Sequence, residues 1–264
     1  MKELSGDVPL SLGEKIYWLA SNAVRGMWGY TTYLPSTYFH ARSLAGGSSS
    51  PGRKTIDAFM YNTLSSIAGI KDAAILDIGG GSGYIRKTLS LIGYKGRYTC
   101  VDIEKDRRFD NFVSTEFVSE HIERGIESFI PPQKYNLVLS ITSLEHIPCD
   151  GISVEKAHLS TLPGGVQIFV FPSYWSLPLY LFHGFRQYSP RRIKRLFAGQ
   201  QYTVYRLNGL FTFLCHFFLI TIPERMLGTK GIRHTRWYEK VVEHAYLCDR
   251  LFPFFSYTYA IVIK

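Results

Sequence analysis

Hydrophobic positions along the chain change spacing several times, which predicts helices and strands in alternation. Continuous apolar runs that end in turn residues predict buried strands, and apolar residues three or four apart predict helices. Strands are predicted at 73–78, 97–102, 134–140 and 165–173, with a weaker one at 112–118, and helices at 56–67, 84–92 and 144–162. Continuous apolar strands that alternate with helices favour an α/β fold with a mostly parallel sheet covered on both faces.

The two ends of the chain follow different patterns. Residues 1–44 mix a helical run at 12–27 with aromatic, turn-rich sequence, and a Gly/Ser-rich stretch follows. After residue 173 we predict a basic helix at 189–197 and strands at 201–207 and 256–264. We therefore expect an N-terminal helical cap and linker at 1–52 and a core at 53–173. The rest, 174–264, is expected to add an enlarged, apolar and basic substrate-side insertion and the final strands of the same domain.

Composition and charge narrow the class of protein. Apolar residues make up 46% and charged residues 19% of the 264 residues, which excludes wholesale disorder. Residues 1–173 carry 17 basic and 17 acidic side chains, whereas 174–264 carry 13 basic and 4 acidic ones, so the last third holds the whole net charge of +9. This asymmetry indicates either an anionic partner for the last third or a solvated basic surface.

One segment, 210–222, is almost wholly apolar. Its thirteen residues are too few to span a bilayer, so we expect either a buried lid or a segment that dips into one leaflet. Basic residues with Trp237 and Tyr238 follow it, a mixture typical of lipid headgroup level, which makes 210–238 a candidate for peripheral membrane contact. The four cysteines form no CxxC pair, and we see no secretory signal. We expect a cytoplasmic protein, either free or at the inner face of a membrane.

The strongest motif follows the first predicted core strand and reads Ile75-Leu-Asp-Ile-Gly-Gly-Gly-Ser-Gly-Tyr84. Glycines after a buried strand allow a tight turn and a close backbone approach to a ligand at the carboxyl edge of the sheet. Dinucleotide enzymes need a third glycine five residues after the first, and Tyr84 occupies that position. The motif therefore favours a ligand other than a dinucleotide.

Two acidic residues accompany this motif. Asp77 precedes the glycines, where it could hold the turn or a ligand's ammonium group. Asp102 ends the next strand, where a carboxylate can accept both hydroxyls of a ribose. A cationic nucleoside joined to an amino acid would satisfy both groups.

These residues, with Ser143-Leu-Glu-His146 and Leu162-Pro-Gly-Gly165, make the chain similar to the Rossmann-like (class I) S-adenosylmethionine-dependent methyltransferases of the small-molecule type. The resemblance covers roughly residues 55–173 and the final strand, and implies a seven-stranded sheet and S-adenosyl-L-methionine as cofactor. It also implies that Asp102 binds the ribose, that Ile103 packs on the adenine, and that Ser119 and Glu120 are candidates for a further adenine contact. The remaining residues assigned to the cofactor are Asp77, Gly79, Gly80, Gly81, Gly83 and Ser140.

Methyl transfer is an in-line displacement that needs a base only when the acceptor holds a proton of high pKa. His146 and Glu145 follow the fourth strand, at the edge where a substrate would enter, and are the candidate catalytic residues. For His146 a capping or packing role is an equal alternative. Some RNA-end methyltransferases of this fold use a Glu-x-x-Glu-His metal cluster; Thr142 occupies the first acidic position here, so no metal is expected.

Three functional hypotheses remain at this point. The first is a methyltransferase acting on a small or lipid-linked acceptor, such as a phosphate-bearing or glycan intermediate. The second is an RNA methyltransferase, which only the charge supports, because the basic residues are interleaved with apolar runs. The third is a non-catalytic, membrane-associated scaffold with a methyltransferase fold. The sequence does not determine the acceptor or the oligomeric state.

Overall fold

The computed structural model describes residues 11–14, 16–17, 34–40, 48–180, 184–226, 228–229 and 231–264, with the backbone alone at 225–226. The strands are β1 (Thr37–Tyr38), β2 (Ala74–Ile78), β3 (Arg97–Asp102), β4 (Val118–Glu123), β5 (Tyr135–Ile141), β6 (Thr161–Pro172), β7 (Tyr202–Arg206) and β8 (Thr258–Ile263). The α-helices are α1 (Pro51–Ser65), α2 (Arg86–Leu91), α3 (Asp150–Ser160), α4 (Pro190–Leu196), α5 (Leu210–His216) and α6 (Arg236–Cys248). Of the predicted helix at 12–27, residues 12–14 and 16–17 are helical, and the rest lies outside the described residues.

The eight strands form one sheet in the order β1-β7-β8-β6-β5-β2-β3-β4. The neighbouring pairs from β6 to β4 are all parallel, with Asp77 of β2 opposite Leu139 of β5 and Cys100 of β3. The predicted α/β class is confirmed, and six of the seven predicted strands lie where they were predicted. The eighth strand is the two-residue β1, which pairs with β7 and lies in the region predicted as a cap.

The predicted strand at 112–118 is displaced, because the strand begins at Val118, where the prediction ends. β4 is the last strand of the sheet, and its residues alternate between exposed and half-buried. An edge strand of this kind needs no continuous apolar run, so its hydrophobic signal is weak. The aromatic residues that suggested a strand, Phe112 and Phe117, lie in the preceding connection.

The central strands are buried on both faces. Six of the seven residues of β5 are buried, as are the last seven residues of β6. The predicted helix at 144–162 is shorter than expected: a 3-10 turn at Leu144–His146 precedes Pro148, and α3 begins at Asp150. Since proline cannot continue a helix that precedes it, the interruption follows from the sequence. The turn at Leu144–His146 therefore belongs to the loop at the end of β5.

Two compact units can be distinguished in the chain. The first comprises the described residues of 1–59, 172–191 and 204–260, and the second comprises 60–171, 192–203 and 261–264. The second unit contains β2 to β5, most of β6 and the glycine motif. We call it the cofactor unit.

The apolar segment 210–222 lies in the first unit and is helical throughout. It forms α5 and continues into a π-helix at Phe217–Met226. Ile220 packs with Tyr238 and Val242 of α6, and within 210–222 only Leu214 and Phe218 are exposed. Among the described residues, no helix has both the length and the apolar character required to cross a bilayer.

Candidate cofactor site

Three adjacent parallel strands, β3, β2 and β5, place the candidate residues at one edge of the sheet. The glycine loop follows β2, Asp102 ends β3, and the segment from Ser140 to His146 ends β5. Carboxyl ends of parallel strands are where open α/β sheets bind ligands. The structure thus brings together the residues that the sequence assigned to the cofactor.

The glycine loop has the backbone geometry that only glycine adopts readily. Gly79 and Gly81 have φ of 68° and 50°. A Cβ on Gly79 would lie 2.5 Å from the Cβ of Ser143, so the first glycine is required by packing against the β5 loop. A Cβ on Gly81 would meet only Asp102 Oδ2, at 3.9 Å. The backbone of Gly81 therefore leaves room for a ligand next to the Asp102 carboxylate.

Asp102 is held by backbone amides. Gly81 N donates to its Oδ2 at 2.8 Å, and Ile103 N donates to its Oδ1 at 2.8 Å. Burial raises the pKa of this carboxyl, and the amide hydrogen bonds oppose the rise. The next side chain, Ile103, is 49% exposed. A fixed acceptor beside an exposed apolar surface suits a sugar attached to a flat ring.

Asp77 lies below the glycine loop and is 3% exposed. Tyr98 Oη donates to Asp77 Oδ2 at 2.6 Å, while Oδ1 is buried and has no hydrogen-bond partner among the described residues. Burial raises the pKa of Asp77 to about 7; the Tyr98 hydrogen bond opposes this and the charge of Asp102 adds to it. A buried acceptor without a donor is costly, so Asp77 can readily accept a hydrogen bond from a cation.

Ser140 is fully buried and belongs to a hydrogen-bond chain under the loop. Its Oγ lies 2.8 Å from Ser143 Oγ, which donates to the carbonyl oxygen of Ile78 at 2.7 Å. These bonds connect the end of β5 to the start of the glycine loop. The assignment of Ser140 to the cofactor site stays a prediction, and its position indicates that it acts by holding the loop.

The β5 loop carries the two candidate catalytic residues on one 3-10 turn. Glu145 is 3% exposed, whereas His146 is half-buried. The turn follows Thr142, whose φ of 51° is the one positive value among the described non-glycine residues. A β-branched residue in this region is strained and persists only where its surroundings hold it, often at functional sites. Of the two side chains, His146 is the more accessible to an acceptor.

The expected position of the candidates for a further adenine contact is wrong, and the contact itself stays a prediction. Ser119 and Glu120 lie early in β4, opposite Tyr98 and Thr99, and not beyond the carboxyl end of the strand. That end is followed by Gly125, where a Cβ would lie 3.6 Å from Ile103 Cγ2. These residues were expected after the strand because the strand itself was predicted too early, at 112–118. Gly125, two residues after β4, is a sequence signal for the end of this strand.

Arg86 is not among the residues selected from the sequence, although it contacts the glycine loop. It is 2% exposed, and its guanidinium donates to the carbonyl oxygens of Ser82, Gly83, Phe109 and Phe112. The guanidinium carbon lies 3.8 Å from the centre of the Phe109 ring. Arg86 thus joins the glycine loop to the connection between β3 and β4, and burial lowers its pKa. Arginine is rarely buried, so its role could not be read from composition.

Comparison with known proteins gives a clear result for the fold. No protein-family model matches the chain, and no curated protein sequence matches it. A plantazolicin methyltransferase solved with S-adenosylhomocysteine and a triazolic desmethylPZN analog is 14% identical, with a TM-score of 0.51 over 81% of this chain and 85% of that one. The YcgJ protein of Bacillus subtilis is 14% identical, with a TM-score of 0.50 over 79% of this chain and 97% of that one.

A third similar structure is an S-adenosylmethionine-dependent methyltransferase from Mesorhizobium loti, 17% identical with a TM-score of 0.37 over 47% of this chain. The match spans 55% of that protein's length, so it concerns only part of it. The two larger matches concern the fold, and the single sheet of eight strands agrees with it. The chain has the Rossmann-like fold of S-adenosylmethionine-dependent methyltransferases.

Proposed function

We propose that the protein is an S-adenosylmethionine-dependent methyltransferase that acts on a small or lipid-linked acceptor. The observation that carries the proposal is the arrangement of Asp77, Gly81 and Asp102: two carboxylates at one sheet edge with an open glycine backbone between them. The match to a methyltransferase solved with S-adenosylhomocysteine supports the same cofactor.

The residues present fit this cofactor. Asp77 Oδ1 is a buried acceptor without a partner among the described residues and suits an ammonium group. The open side of Gly81 suits the approach of the methionine part, and Asp102 suits the ribose hydroxyls. Ile103, 49% exposed, suits an adenine face, with Gly125 beside it. Each part of the cofactor thus has a residue of matching chemistry.

When bound, the cofactor supplies a sulfonium-activated methyl group. The protein would hold the cofactor in position, with Asp102 at the nucleoside and Asp77 at the amino-acid end. The hydrogen bonds of Ser140 and Ser143 keep the glycine loop against the β5 loop. Holding two reactants in line supplies much of the rate enhancement of a displacement, since it converts a bimolecular step into a unimolecular one. Positioning is therefore the main catalytic task of this site.

His146 is the proposed general base for acceptors that must lose a proton. Its side chain is half-buried on the β5 loop, and its backbone amide donates to Ser143 O at 2.8 Å. Ser143 in turn donates to the carbonyl oxygen of Ile78, directly before the glycine loop. The imidazole would take the acceptor's proton as the new bond to carbon forms. Glu145 is buried, so we assign it the secondary role of supporting this turn.

The acceptor class is inferred from the last third of the chain. Its excess of basic residues favours an anionic acceptor, and its aromatic surface favours one attached to a lipid at the inner face of a membrane. Part of this charge is already neutralised: Arg192 makes a bidentate ion pair with Asp150 at 2.7 Å. The basic helix α4 is therefore a weaker candidate for acceptor contact than its sequence suggests. The plantazolicin methyltransferase, a structural match, was solved with a small-molecule analog.

Calorimetry with S-adenosylmethionine tests the cofactor assignment. Asp102→Ala should weaken binding about tenfold to a hundredfold, because hydrogen bonds to a charged group contribute roughly 1.5–3 kcal/mol each. Asp106→Ala is the matched control, since Asp106 follows β3 and its side chain accepts hydrogen bonds only from Arg108 among the described residues. Equal affinities for the two variants would contradict the ribose assignment. No binding by the wild-type protein would favour the scaffold hypothesis.

The acceptor is sought with radiolabelled S-adenosylmethionine and a cell extract separated into lipid, small-metabolite and RNA fractions. We expect label in the lipid or metabolite fraction, and label in RNA would contradict the proposal. His146→Ala should then lower kcat and leave cofactor affinity unchanged, whereas unchanged kcat would return His146 to a structural role.

A further inference from the structure

The outward face of α6 combines basic and apolar side chains in an unusual way. Six residues of the helix point to solvent, and we call them the α6 outer face: Arg236, Trp237, Lys240, Glu243, His244 and Leu247. The opposite face is buried through Tyr238, Val242, Ala245 and Tyr246. Trp237 is 58% exposed and Leu247 is 54% exposed. Large apolar groups thus lie on the side of an amphipathic helix that is usually polar.

The exposed residues form one continuous stripe. At about 100° per residue, all six fall within roughly a third of the helix circumference. Past the helix, Leu251 and Phe254 are each 71% exposed. Single exposed apolar residues are normal, but four large ones exposed between residues 237 and 254 indicate an interaction surface.

Most charged side chains of the stripe are basic, and they are exposed to solvent. Arg236, Lys240 and Arg250 are exposed and form no ion pair with another described residue, and Glu243 is the single acidic member. Two other arginines of 174–264 are ion-paired, Arg233 with Glu224 and Arg192 with Asp150. Arg191, Lys194 and Arg195 of α4 are exposed as well, but no large apolar side chain of α4 is exposed beside them. The α6 outer face thus combines exposed positive charge with exposed large apolar groups, which α4 does not.

We propose that the α6 outer face, extended by Arg250, Leu251 and Phe254, docks on an anionic lipid surface. This inference rests on the proposed function, because it gives a lipid-linked acceptor a means of reaching the enzyme. Tryptophan and leucine insert at the headgroup boundary while lysine and arginine contact lipid phosphates. The surface shares only Arg236 and Trp237 with the region 210–238 predicted from the sequence, and within 210–222 only Leu214 and Phe218 are exposed.

The charge complementarity selects this partner over RNA. An RNA site needs a polar basic groove with aromatic rings on which bases stack, whereas here leucines and a phenylalanine accompany one tryptophan. Aliphatic side chains gain more from an acyl boundary than from bases. An interfacial helix with basic and apolar residues on its exposed side is typical of peripheral membrane proteins.

Vesicle co-sedimentation of the full-length protein tests the proposal. Vesicles of phosphatidylcholine alone are compared with vesicles that also contain phosphatidylglycerol, across a salt series. We expect binding only to the anionic vesicles, and less of it as salt increases. The Arg236→Glu/Lys240→Glu variant should lower the partition coefficient on the order of a hundredfold or more. Its control is Lys71→Glu/Lys95→Glu, an exposed pair in the cofactor unit, which should bind as the wild type does.

The apolar contribution is tested separately. Trp237→Ser/Leu247→Ser should lower binding even at low salt, whereas Leu91→Ser/Ile130→Ser, at positions 74% and 78% exposed, should not. Equal weakening by both pairs, equal binding to neutral and anionic vesicles, or competition by RNA for the same residues would overturn the proposal. Calorimetry with S-adenosylmethionine on the same preparations separates a failure of docking from a failure of the proposed function.

Discussion

Asp77 illustrates how one buried carboxyl can link ligand binding to pH. Burial raises its pKa to about 7 in the folded protein, against about 3.9 in an unfolded chain. The folded state therefore holds the proton more tightly, and the cofactor-free protein should lose stability as pH rises from about 4 to about 7. Neighbouring charges at this position are those of Asp102, which raises the pKa of Asp77, and Arg86, which lowers it.

The first prediction concerns cofactor affinity. Only the carboxylate form of Asp77 attracts an ammonium group, so affinity for S-adenosylmethionine should rise with pH up to about 7 and then level off. Below that pKa the rise approaches tenfold per pH unit. Calorimetry across this range on the wild type and on Asp77→Asn gives the comparison. A wild-type profile as flat as that of the variant would remove Asp77 from the site.

The second prediction concerns Arg86. Arg86→Met keeps most of the side-chain volume but removes the donors to four carbonyl oxygens. We expect the free energy of unfolding to fall by about 2–4 kcal/mol, measured by urea denaturation. Arg86→Lys should rescue little, since one ammonium cannot reach all four acceptors. Lys87→Met, at an exposed neighbouring position, is the control, and equal stability of the two methionine variants would contradict the prediction.

Among the elements, α5 depends on a cap from a distant part of the chain. Asp249 is fully buried and accepts hydrogen bonds from the amides of Gly209, Phe211 and Thr212 and from Thr212 Oγ1. A carboxylate at a helix N-terminus satisfies otherwise unpaired amides and interacts favourably with the helix dipole. Gly209 leaves room for it, because a Cβ there would lie 2.4 Å from Asp249 Cγ.

The third prediction follows from this cap. Asp249→Ala removes the carboxylate that accepts from three amides and a hydroxyl and should lower the free energy of unfolding by about 3 kcal/mol or more. Asp249→Asn retains one acceptor oxygen and should cost less. Urea denaturation measures both, with Glu243→Ala as the exposed control on α6. A wild-type midpoint for Asp249→Ala would show that the helix needs no such cap.

Among secondary-structure elements, the strands with consecutive buried residues are the ones that the sequence predicts well. β2, β5 and β6 were found because buried parallel strands are apolar on both faces. β4 was displaced because an edge strand needs no such run, and β1 was missed because two residues carry no periodicity. The cap by Asp249 was unpredictable in principle, since its partners are about forty residues away.

Some parts of the candidate cofactor site could be predicted from the sequence and others could not. A glycine motif after one strand and an acidic residue at the end of the next form a sequence pattern, so the loop and Asp102 could be located. The hydrogen bonds of Ser140 and Ser143, the positive φ of Thr142 and the burial of Arg86 depend on strand neighbours. These features could not be predicted, because the sequence alone does not show which strands are neighbours.

For the molecule as a whole, chain order and compact units do not coincide. The cofactor unit includes 192–203 and the last four residues, which lie far from the glycine loop in sequence. All six residues of β8 are buried, and in the sheet β8 lies between β7 and β6. A contiguous fragment ending near residue 173 would lack this strand. The fold of the cofactor unit therefore depends on the final residues of the chain.

The last prediction tests that dependence with a single charge. Ile261 is fully buried in β8, so Ile261→Asp places an unpaired carboxylate, or a protonated acid, inside the sheet. Burying such a group without a partner costs several kcal/mol, comparable with the roughly 5–15 kcal/mol that stabilise most domains. We expect cooperative thermal unfolding by circular dichroism to be lost or shifted strongly downward, and S-adenosylmethionine binding to be lost with it. Lys264→Asp adds a carboxylate three residues away at an exposed position and should leave both properties unchanged. If Ile261→Asp retained a wild-type melting curve, β8 would not be an integral part of the sheet, because a strand packed on both sides cannot accept a charge at its centre.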